Sequence, residues 1–536
     1  MGFCIVRERE MAKLSTTTQD NSKRGNLRSW SELVCASLPR FFGYLRLILL
    51  AATLGFAMTL NARELTRVSD ETLIPAFPGA EGAGAFTPGG RGGRIFEVTH
   101  LNDNGPGSLR EAVEAVGPRI VIFRVSGIIT LEKLLTISNP YLTIAGQTAP
   151  GDGICIRGQT TEINTHDVVL RYLRFRRGNI KDRNDALGGY PVGNIIVDHC
   201  SASWGLDENL SLYRYMKKMP DGPDRKMPVE NLTIQWCISS EALDLNNHAF
   251  GATWGGRNCS FHHNLFACNT GRNPSIGWGD HFDLRNNVLF NWRHRTVDGG
   301  DASSMVNIVA NYYKPGPAVN PGSARYRICR PQHLDMYSEA QREGKWYVAE
   351  NFVVGNPKVT FDNWDGGVQF DDVKTEAEIK ALIKKVRATT PAPAPHITQQ
   401  SAEQAYELVL AQAGATLPKR DPVDERIINI VRTGKPTYKN GIIDIPSDVG
   451  GWPEYKTAPA PVDSDHDGMP DTWEKKFGLS WNDPSDGAKD ADEDGYTNVE
   501  EWLNDTDPTQ FVDYRILEYN KNTLSSELDG KSKGYR

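Results

Sequence analysis

Between about residues 94 and 356 the chain is a series of short apolar, β-branched runs broken by Gly, Asn and Pro. Among them are RIFEVTHL, RIVIFRVSGIITL, YLTIAG, VVLRYLRF, NIIVDHCSAS, NLTIQWCIS, CSFHHNLFA, HFDLRNNVLF, MVNIVANYY and WYVAENFVV. No long amphipathic helical pattern separates them, which excludes a βαβ chain and predicts strands. Superimposed in one register, the runs place Leu173, Cys200, Cys237, Asn264, Asn287, Asn311 and Asn351 in one column, at steps of 27, 37, 27, 23, 24 and 40. Steps of 23–27 suit one coil of a parallel β-helix, and the longer steps carry insertions. In such a stack each copy lies about 4.8 Å above the previous one, the interstrand spacing. Asn tolerates left-handed backbone at a turn, and its amide can bond the Asn above and below. Cys200 and Cys237 then read as small, buried, inert members of the ladder.

After residue 370 the period changes. TEAEIKALIKKVRATT and SAEQAYELVLAQAGA are helical by period and propensity, with PAPAP between them at 391–395. The expected organisation is a leader (1–62), a β-helix (63–370), a helical extension (371–457), an acidic segment (458–510) and a tail (511–536).

Composition adds two facts. In the leader, Arg40 and Arg46 flank the start of an apolar stretch, residues 45–58, which runs into Leu60-Asn61-Ala62. That pattern predicts a secretory signal peptide cleaved near Ala62, hence a secreted or extracytoplasmic protein (periplasm or cell surface). The run is too short for a comfortable membrane span. The formal net charge of −7 argues at first against an acidic partner. Residues 1–62 carry eight Lys/Arg and four Asp/Glu, so their removal takes the chain to −11, whereas residues 461–510 carry fifteen Asp/Glu and three Lys, a net −12. The rest is close to neutral, so the acidity belongs to one segment. Six cysteines follow the leader and none forms a CxxC pair that would suggest zinc.

The acidic segment matches a twelve-residue calcium loop twice. Asp463, Asp465, Asp467, Gly468, Asp471 and Glu474 fit positions 1, 3, 5, 6, 9 and 12, and Asp490, Asp492, Asp494, Gly495, Asn498 and Glu501 repeat them 27 residues later. Calcium needs six to eight oxygens, and alternating acidic residues on a loop bent at Gly supply them. Helical residues precede neither loop closely, so the pair resembles dockerin or thrombospondin type 3 repeats, EF-hand-like rather than sensor EF-hands.

Basic and acidic residues concentrate at particular turns of the β region. Arg171, Arg174, Arg176, Arg177, Lys181 and Arg183 precede Asn184-Asp185-Ala186-Leu187; Val197-Asp198-His199 and Trp204-Gly205-Leu206-Asp207-Glu208 follow, and later FHHNLFACNTGRNP carries Arg272. Adjacent coils would bring Asp185, Asp207 or Glu208, and Arg272 to one flank. With FPGAEGAGAFTPGGRGG, LNDNGPGSLREAV, TIAGQTAPGDGI, NDAL, IIVDHCSASWGLDE, FHHNLF and GRNP, in that order, residues 77–316 resemble the pectate lyases. The resemblance implies an all-β, right-handed parallel β-helix and calcium-assisted β-elimination on pectate (polygalacturonate). It implies Ca2+ held by Asp185 and Asp207, with Glu208 beside them, and Arg272 of the R-x-P segment as base. Asp198-His199 matches the family's D-H signature, for which a structural role between coils is expected.

Two departures stand out. The sixth position of R-x-P-x-x-R is Gly277, and Ser211 stands where a further acidic ligand is expected. Arg176, Arg177, His248, Arg285 and Arg295 are the candidate substrate-binding residues. A polygalacturonate hydrolase would need paired Asp residues at inverting separation, and a β-helix adhesin or polysaccharide-binding protein would need no catalytic Arg; both remain alternatives. A monomer is expected, with no nucleic-acid partner and no stable membrane span.

Overall fold

The computed structural model describes residues 73–524 apart from 180–181, 246, 333–342, 372 and 374. The expected leader and the end of the tail lie outside the described residues. No helix among the described residues is long and apolar enough to cross a membrane.

The strands form a parallel β-solenoid. A first sheet of ten strands runs from Arg94–Val98 to Lys345–Ala349, and a second sheet of nine from Gly127–Thr130 to Phe352–Val353. A third side is built in two parts. Leu135–Ile137, Thr161–Ile163 and Leu187–Gly189 make one, and Thr253–Gly256, Ser275–Gly279, Val297–Gly299 and Cys329–Pro331 the other. Single bridges from Leu187 to Leu210 and from Leu212 to Trp254 link the parts. The interior is a continuous apolar column that includes Ile144, Leu170, Val197, Ile234, Phe261, Leu284 and Ile308.

Each later β-rich run supplies two strands, one to each main sheet, with a bend at the ladder column. In NIIVDHCSAS, Gly193–Asp198 joins the first sheet and Ser201–Ser203 the second. The left-handed residue at that bend precedes the column: Tyr172, His199, Trp236, His263, Asn286, Ala310 and Glu350 all have φ between 49° and 61°. The Asn column is therefore not left-handed, contrary to the sequence expectation, and its role is hydrogen bonding alone. The Cys237 amide donates to Asn264 Oδ1 (2.8 Å), Asn264 to Asn287 (2.9 Å), Asn287 to Asn311 (2.9 Å) and Asn311 to Asn351 (3.0 Å). Asn363, one rung further, caps the column by accepting from the Asn351 amide. Outside it runs a second stack, Tyr172, His199, Trp236 and His263, with ring centroids 4.2–5.8 Å apart.

An interior amide with every donor used cannot be replaced by an isostere without leaving partners unpaired. Asn287→Leu strips acceptors from Asn264 and a donor from the Phe261 carbonyl. The expected loss is about 3 kcal/mol, read as a lower midpoint in urea at unchanged m.

The chain after the solenoid covers its outer faces. Helices Glu376–Val386 and Ala402–Gln412 stand where the period places them. A further helix, Pro422–Thr433, starts at the Asp421 cap and ends at left-handed Gly434. Val409, Leu410, Ile427, Ile430 and Val431 pack on Ile238, Leu265, Val288 and Phe290, covering the second sheet. The acidic segment lays Met469, Trp473, Val499 and Leu503 on Ile120, Ile122 and Ala145 of the first sheet. Ala76, Phe77, Ala80 and Ala85 cover Val169 and Ile196. The third side carries an antiparallel hairpin, Arg214–Lys217 with Arg225–Pro228, which is the insertion behind the 37-residue step.

Candidate active site

Three carboxylates meet on the third side. Asp185 lies just before strand Leu187–Gly189, and Asp207 and Glu208 occupy the turn one coil later. The Glu208 amide donates to Asp185 Oδ1 (2.9 Å), which locks the two turns together. Gly205 makes the turn possible, because a Cβ there would fall 2.1 Å from the Glu208 carbonyl oxygen. One oxygen from each of Asp185, Asp207 and Glu208 lies within 4.8 Å of the others.

Arg272 comes from two coils further on, beyond the coil that carries Phe250, and is held at φ 52° with its side chain 29% exposed. Its Nη1 is ion-paired to Glu208 Oε1, and its guanidinium lies 4.4 Å from the centroid of the Phe250 ring. Arg295 lies over the same ring at 4.9 Å and pairs with Asp298 at 3.0 Å. Burial, with Arg272 and Arg330 close by, holds the Arg295 pKa below the ordinary guanidinium value despite Asp298. Glu208 also accepts from Thr253 Oγ1 (2.8 Å). Asp207 meets His248 Nε2 and Arg183 Nη2, the latter at 3.2 Å.

The electrostatics follow from crowding. Burial, then the Glu208 charge, pushes the Asp185 carboxyl well above its usual range. Burial raises Glu208 as well, and Arg272 only partly opposes it. Burial works the same way on Asp207, but His248 and Arg183 outweigh it and hold that carboxyl low. Three acidic groups this close favour either a shared proton or a cation. Each keeps one oxygen outside the contacts just described, so the donor set suits a hard, oxygen-seeking ion.

The structure thus brings together Asp185, Asp207, Glu208, Arg272, His248 and Arg295. Arg176 and Arg285 lie elsewhere, and Arg177 approaches Asp185 from the buried side, through the Thr160 hydroxyl that donates to the Asp185 carbonyl. Arg176 is fully buried, hydrogen-bonded to Asp421 and Asp424 (both 2.9 Å) and to Ser203, so it anchors the Pro422–Thr433 helix and cannot meet a substrate. Arg177 is buried against Thr160 and the Asp182 carbonyl. Arg285 sits on the first sheet, paired with Asp283 (2.7 Å) and Gln399, on a different side of the solenoid from Arg272. Asp198 is structural: it accepts from Arg171 (2.9 Å) and Gln235 (2.8 Å) and pairs with His199 (2.7 Å) inside the first sheet's outer layer. Ser211 stitches coils, accepting from the Thr253 amide (2.9 Å). Phe250 and Thr253 carried no sequence signal, since an apolar ring and a hydroxyl between glycines read as ordinary turn residues.

The acidic segment holds three further carboxylate groups, each with oxygens within 4.8 Å: Asp463, Asp465 and Asp467; Asp467, Glu474 and Asp486; and Asp490, Asp492 and Asp494. Buried oxygens of Asp465, Asp467, Glu474, Asp486, Asp492, Asp494, Asn498 and Glu501 have no hydrogen-bond partner. Asp471, expected as a ligand, is turned instead to the Ser464 amide and hydroxyl and to Lys475, and opens helix Asp471–Phe477. Asp486 takes a place near Glu474 that the twelve-residue spacing did not assign to it.

No family model matches the chain. It is 33% identical over 455 residues to the probable pectate lyase C of Aspergillus flavus, covering 82% of this chain and 96% of that one. The protein of the same name in Aspergillus terreus is 32% identical over 445 residues, with the same coverage. A pectate lyase of Bacillus sp. N165, solved with trigalacturonate, aligns at TM-score 0.42 and 15% identity over 62% of this chain and 98% of that one.

Proposed function

The chain belongs to the pectate lyase family and is a polysaccharide lyase, and from that premise we propose that it cleaves de-esterified polygalacturonate by calcium-assisted β-elimination to 4,5-unsaturated oligogalacturonates. The observation that carries this reading is the convergence of Asp185, Asp207 and Glu208 beside Arg272 on one side of the solenoid. Asp185, Asp207 and Glu208 would hold the catalytic Ca2+. When bound, that ion supplies Lewis-acid neutralisation of the C6 carboxylate, which makes the C5 proton acidic enough to leave.

Arg272 is the base placed to take the proton from C5. The electron pair of that C–H bond forms the C4=C5 double bond, and the C4–O4 bond breaks toward the leaving sugar, whose oxygen takes up a proton from solvent water. Phe250 backs the Arg272 guanidinium and fixes its plane. Arg295 offers a second cation for a uronate carboxylate on the same ring. His248 orients Asp207. The near-neutral net charge of the chain outside 1–62 and 461–510 suits a polyanionic substrate.

The reading includes export to the cell exterior or periplasm, because polygalacturonate lies outside cells and the leader has signal-peptide character. It also includes structural Ca2+ in the C-terminal segment, held by Asp463, Asp465, Asp467, Glu474 and Asp486 in one group and by Asp490, Asp492, Asp494, Asn498 and Glu501 in the other. The orphaned buried oxygens support it, since a buried carboxylate without a partner is otherwise strongly unfavourable.

The test is incubation with polygalacturonate while near-ultraviolet absorbance of the unsaturated product is followed. A calcium-dependent rise is expected; reducing ends without absorbance would indicate a hydrolase, and binding without turnover an adhesin. Asp185→Asn removes one charge from the ion site. It is expected to raise the calcium concentration for half-maximal activity by about tenfold, checked by titrating calcium into the assay. An unchanged calcium requirement would remove Asp185 from the ligand set.

A further inference from the structure

The third side carries a second feature, next to the carboxylates, that the reaction as described does not use. Tyr190 follows Gly188-Gly189 at the end of strand Leu187–Gly189, and its amide is held by Asn164 Oδ1 (2.8 Å). A Cβ on Gly188 would lie 2.5 Å from Asp185 Oδ2, so this strand end abuts the proposed ion site directly. Tyr213 enters from the hairpin insertion. A Cβ on Gly277 would lie 2.5 Å from the Tyr213 ring and 2.7 Å from Thr253 Cγ2, and Thr253 in turn bonds Glu208. Tyr213 therefore takes the space that an arginine at position 277 would need, which gives the departure at Gly277 a structural cause.

Arg214 lies between the two rings. Its guanidinium carbon is 5.8 Å from the Tyr190 centroid and 5.0 Å from the Tyr213 centroid. Five other arginines around the site are each matched to a carboxylate: Arg183 to Asp207, Arg272 to Glu208, Arg293 to Asp244, Arg295 to Asp298, and Arg330 to Asp298 and Asp371. Arg214 has none among the described residues; its one hydrogen bond there is a weak contact to Met216 Sδ at 3.8 Å. Tyr190 is 45% exposed, and Arg214 is half-buried.

A partly exposed, carboxylate-free arginine held between two tyrosine rings is a recognisable receptor for an acidic sugar. The exposed Tyr190 ring accepts the C–H face of a pyranose, and the guanidinium fork, flanked by both rings, accepts a carboxylate in bidentate fashion. We propose that Tyr190, Arg214 and Tyr213 form a uronate-binding subsite that supplies the carboxylate recognition lost at Gly277. The subsite rests on the polygalacturonate reading above and extends it to a specific neighbouring sugar. Its three residues position the chain and take no part in proton transfer.

The measurement is calorimetric titration with hexagalacturonate, with calcium present, in an Arg272→Ala background that suppresses cleavage. Tyr190→Ala and Arg214→Ala are each expected to weaken binding about tenfold, with Arg214→Lys recovering part of the loss. Both side chains reach solvent, and an unchanged thermal midpoint confirms folding. In the active background the same changes are expected to raise KM about tenfold with kcat within about twofold, the signature of uniform binding. Variants that bind hexagalacturonate as tightly as their parent, or a parent that does not bind it, overturn the subsite. Absence of ultraviolet-absorbing product from the unmodified protein overturns the lyase reading separately, because the titration is read without turnover.

Discussion

Replacing Arg272 with lysine is expected to lower kcat on polygalacturonate about a thousandfold while leaving KM within a few fold, the scale of losing a positioned general base. Lysine keeps the positive charge and could still reach Glu208 or a substrate carboxylate. What it cannot reproduce is the planar guanidinium that lies 4.4 Å from the Phe250 centroid and presents Nη1 to Glu208. If Arg272 were only a carboxylate clamp, the lysine variant would retain much of its rate and Arg272→Ala would mainly raise KM. The two substitutions, read as a kcat against KM split, therefore separate base from clamp. Arg272 is 29% exposed and bonded to one side chain, so neither change should unfold the solenoid, and far-ultraviolet circular dichroism checks that. A lysine variant within tenfold of the parent kcat would assign the proton transfer elsewhere.

The solenoid was legible because its signal is repeated. The strand runs and the column from Cys237 to Asn351 recur at steps of 27, 23, 24 and, with an insertion, 40, and the hydrogen bonds fall where those steps put them. The carboxylates and Arg272 were legible for the same reason, since one coil's spacing predicts what stacks on what. Failures came where contacts cross hundreds of residues. Arg176 sits among cations that read as a binding cluster, but its partners Asp421 and Asp424 lie about 245 positions away on a helix that the apolar pattern did not single out. Arg285 is only 13 residues from Arg272, yet a coil has three sides and nearness in sequence does not say which side a residue faces. Asp471 illustrates a local failure: position 9 of a calcium loop is also the first residue of helix Asp471–Phe477, and there its carboxylate caps Ser464. Gly277 and Tyr213 are the reverse case, a missing arginine whose absence makes sense only once the ring across from it is seen.

Chelation should unfold the acidic segment from the solenoid, with a pH dependence opposite to that of a salt-bridged protein. Without a cation, burial pushes Glu474 to about 8 and Asp467 to about 7 in the first group, with the neighbouring carboxylates adding to it. Burial does the same to Glu501, to about 8, and to Asp494, to about 6, in the second. Unfolded carboxyls titrate near about 4. The folded, metal-free segment therefore binds more protons than the unfolded chain, so its stability is full below about pH 4 and is lost as pH rises toward about 8. Calcium bound at both groups would replace those protons. At a hundredfold excess over the dissociation constant each site contributes about 2.7 kcal/mol. In EGTA the melting midpoint of this segment is thus expected to fall steadily between pH 5 and pH 8, and in millimolar calcium to stay level. The readout is fluorescence of Trp473, which packs on Ile120, Ile122 and Ala145 of the first sheet, together with hydrogen exchange across residues 463–504. Glu474→Gln with Glu501→Gln should reproduce the calcium-independent melt while leaving Asp185, Asp207 and Glu208 intact, so polygalacturonate cleavage below the new midpoint should persist. A midpoint at pH 8 that EGTA does not move would mean that lysines or water, rather than calcium, satisfy the orphaned oxygens.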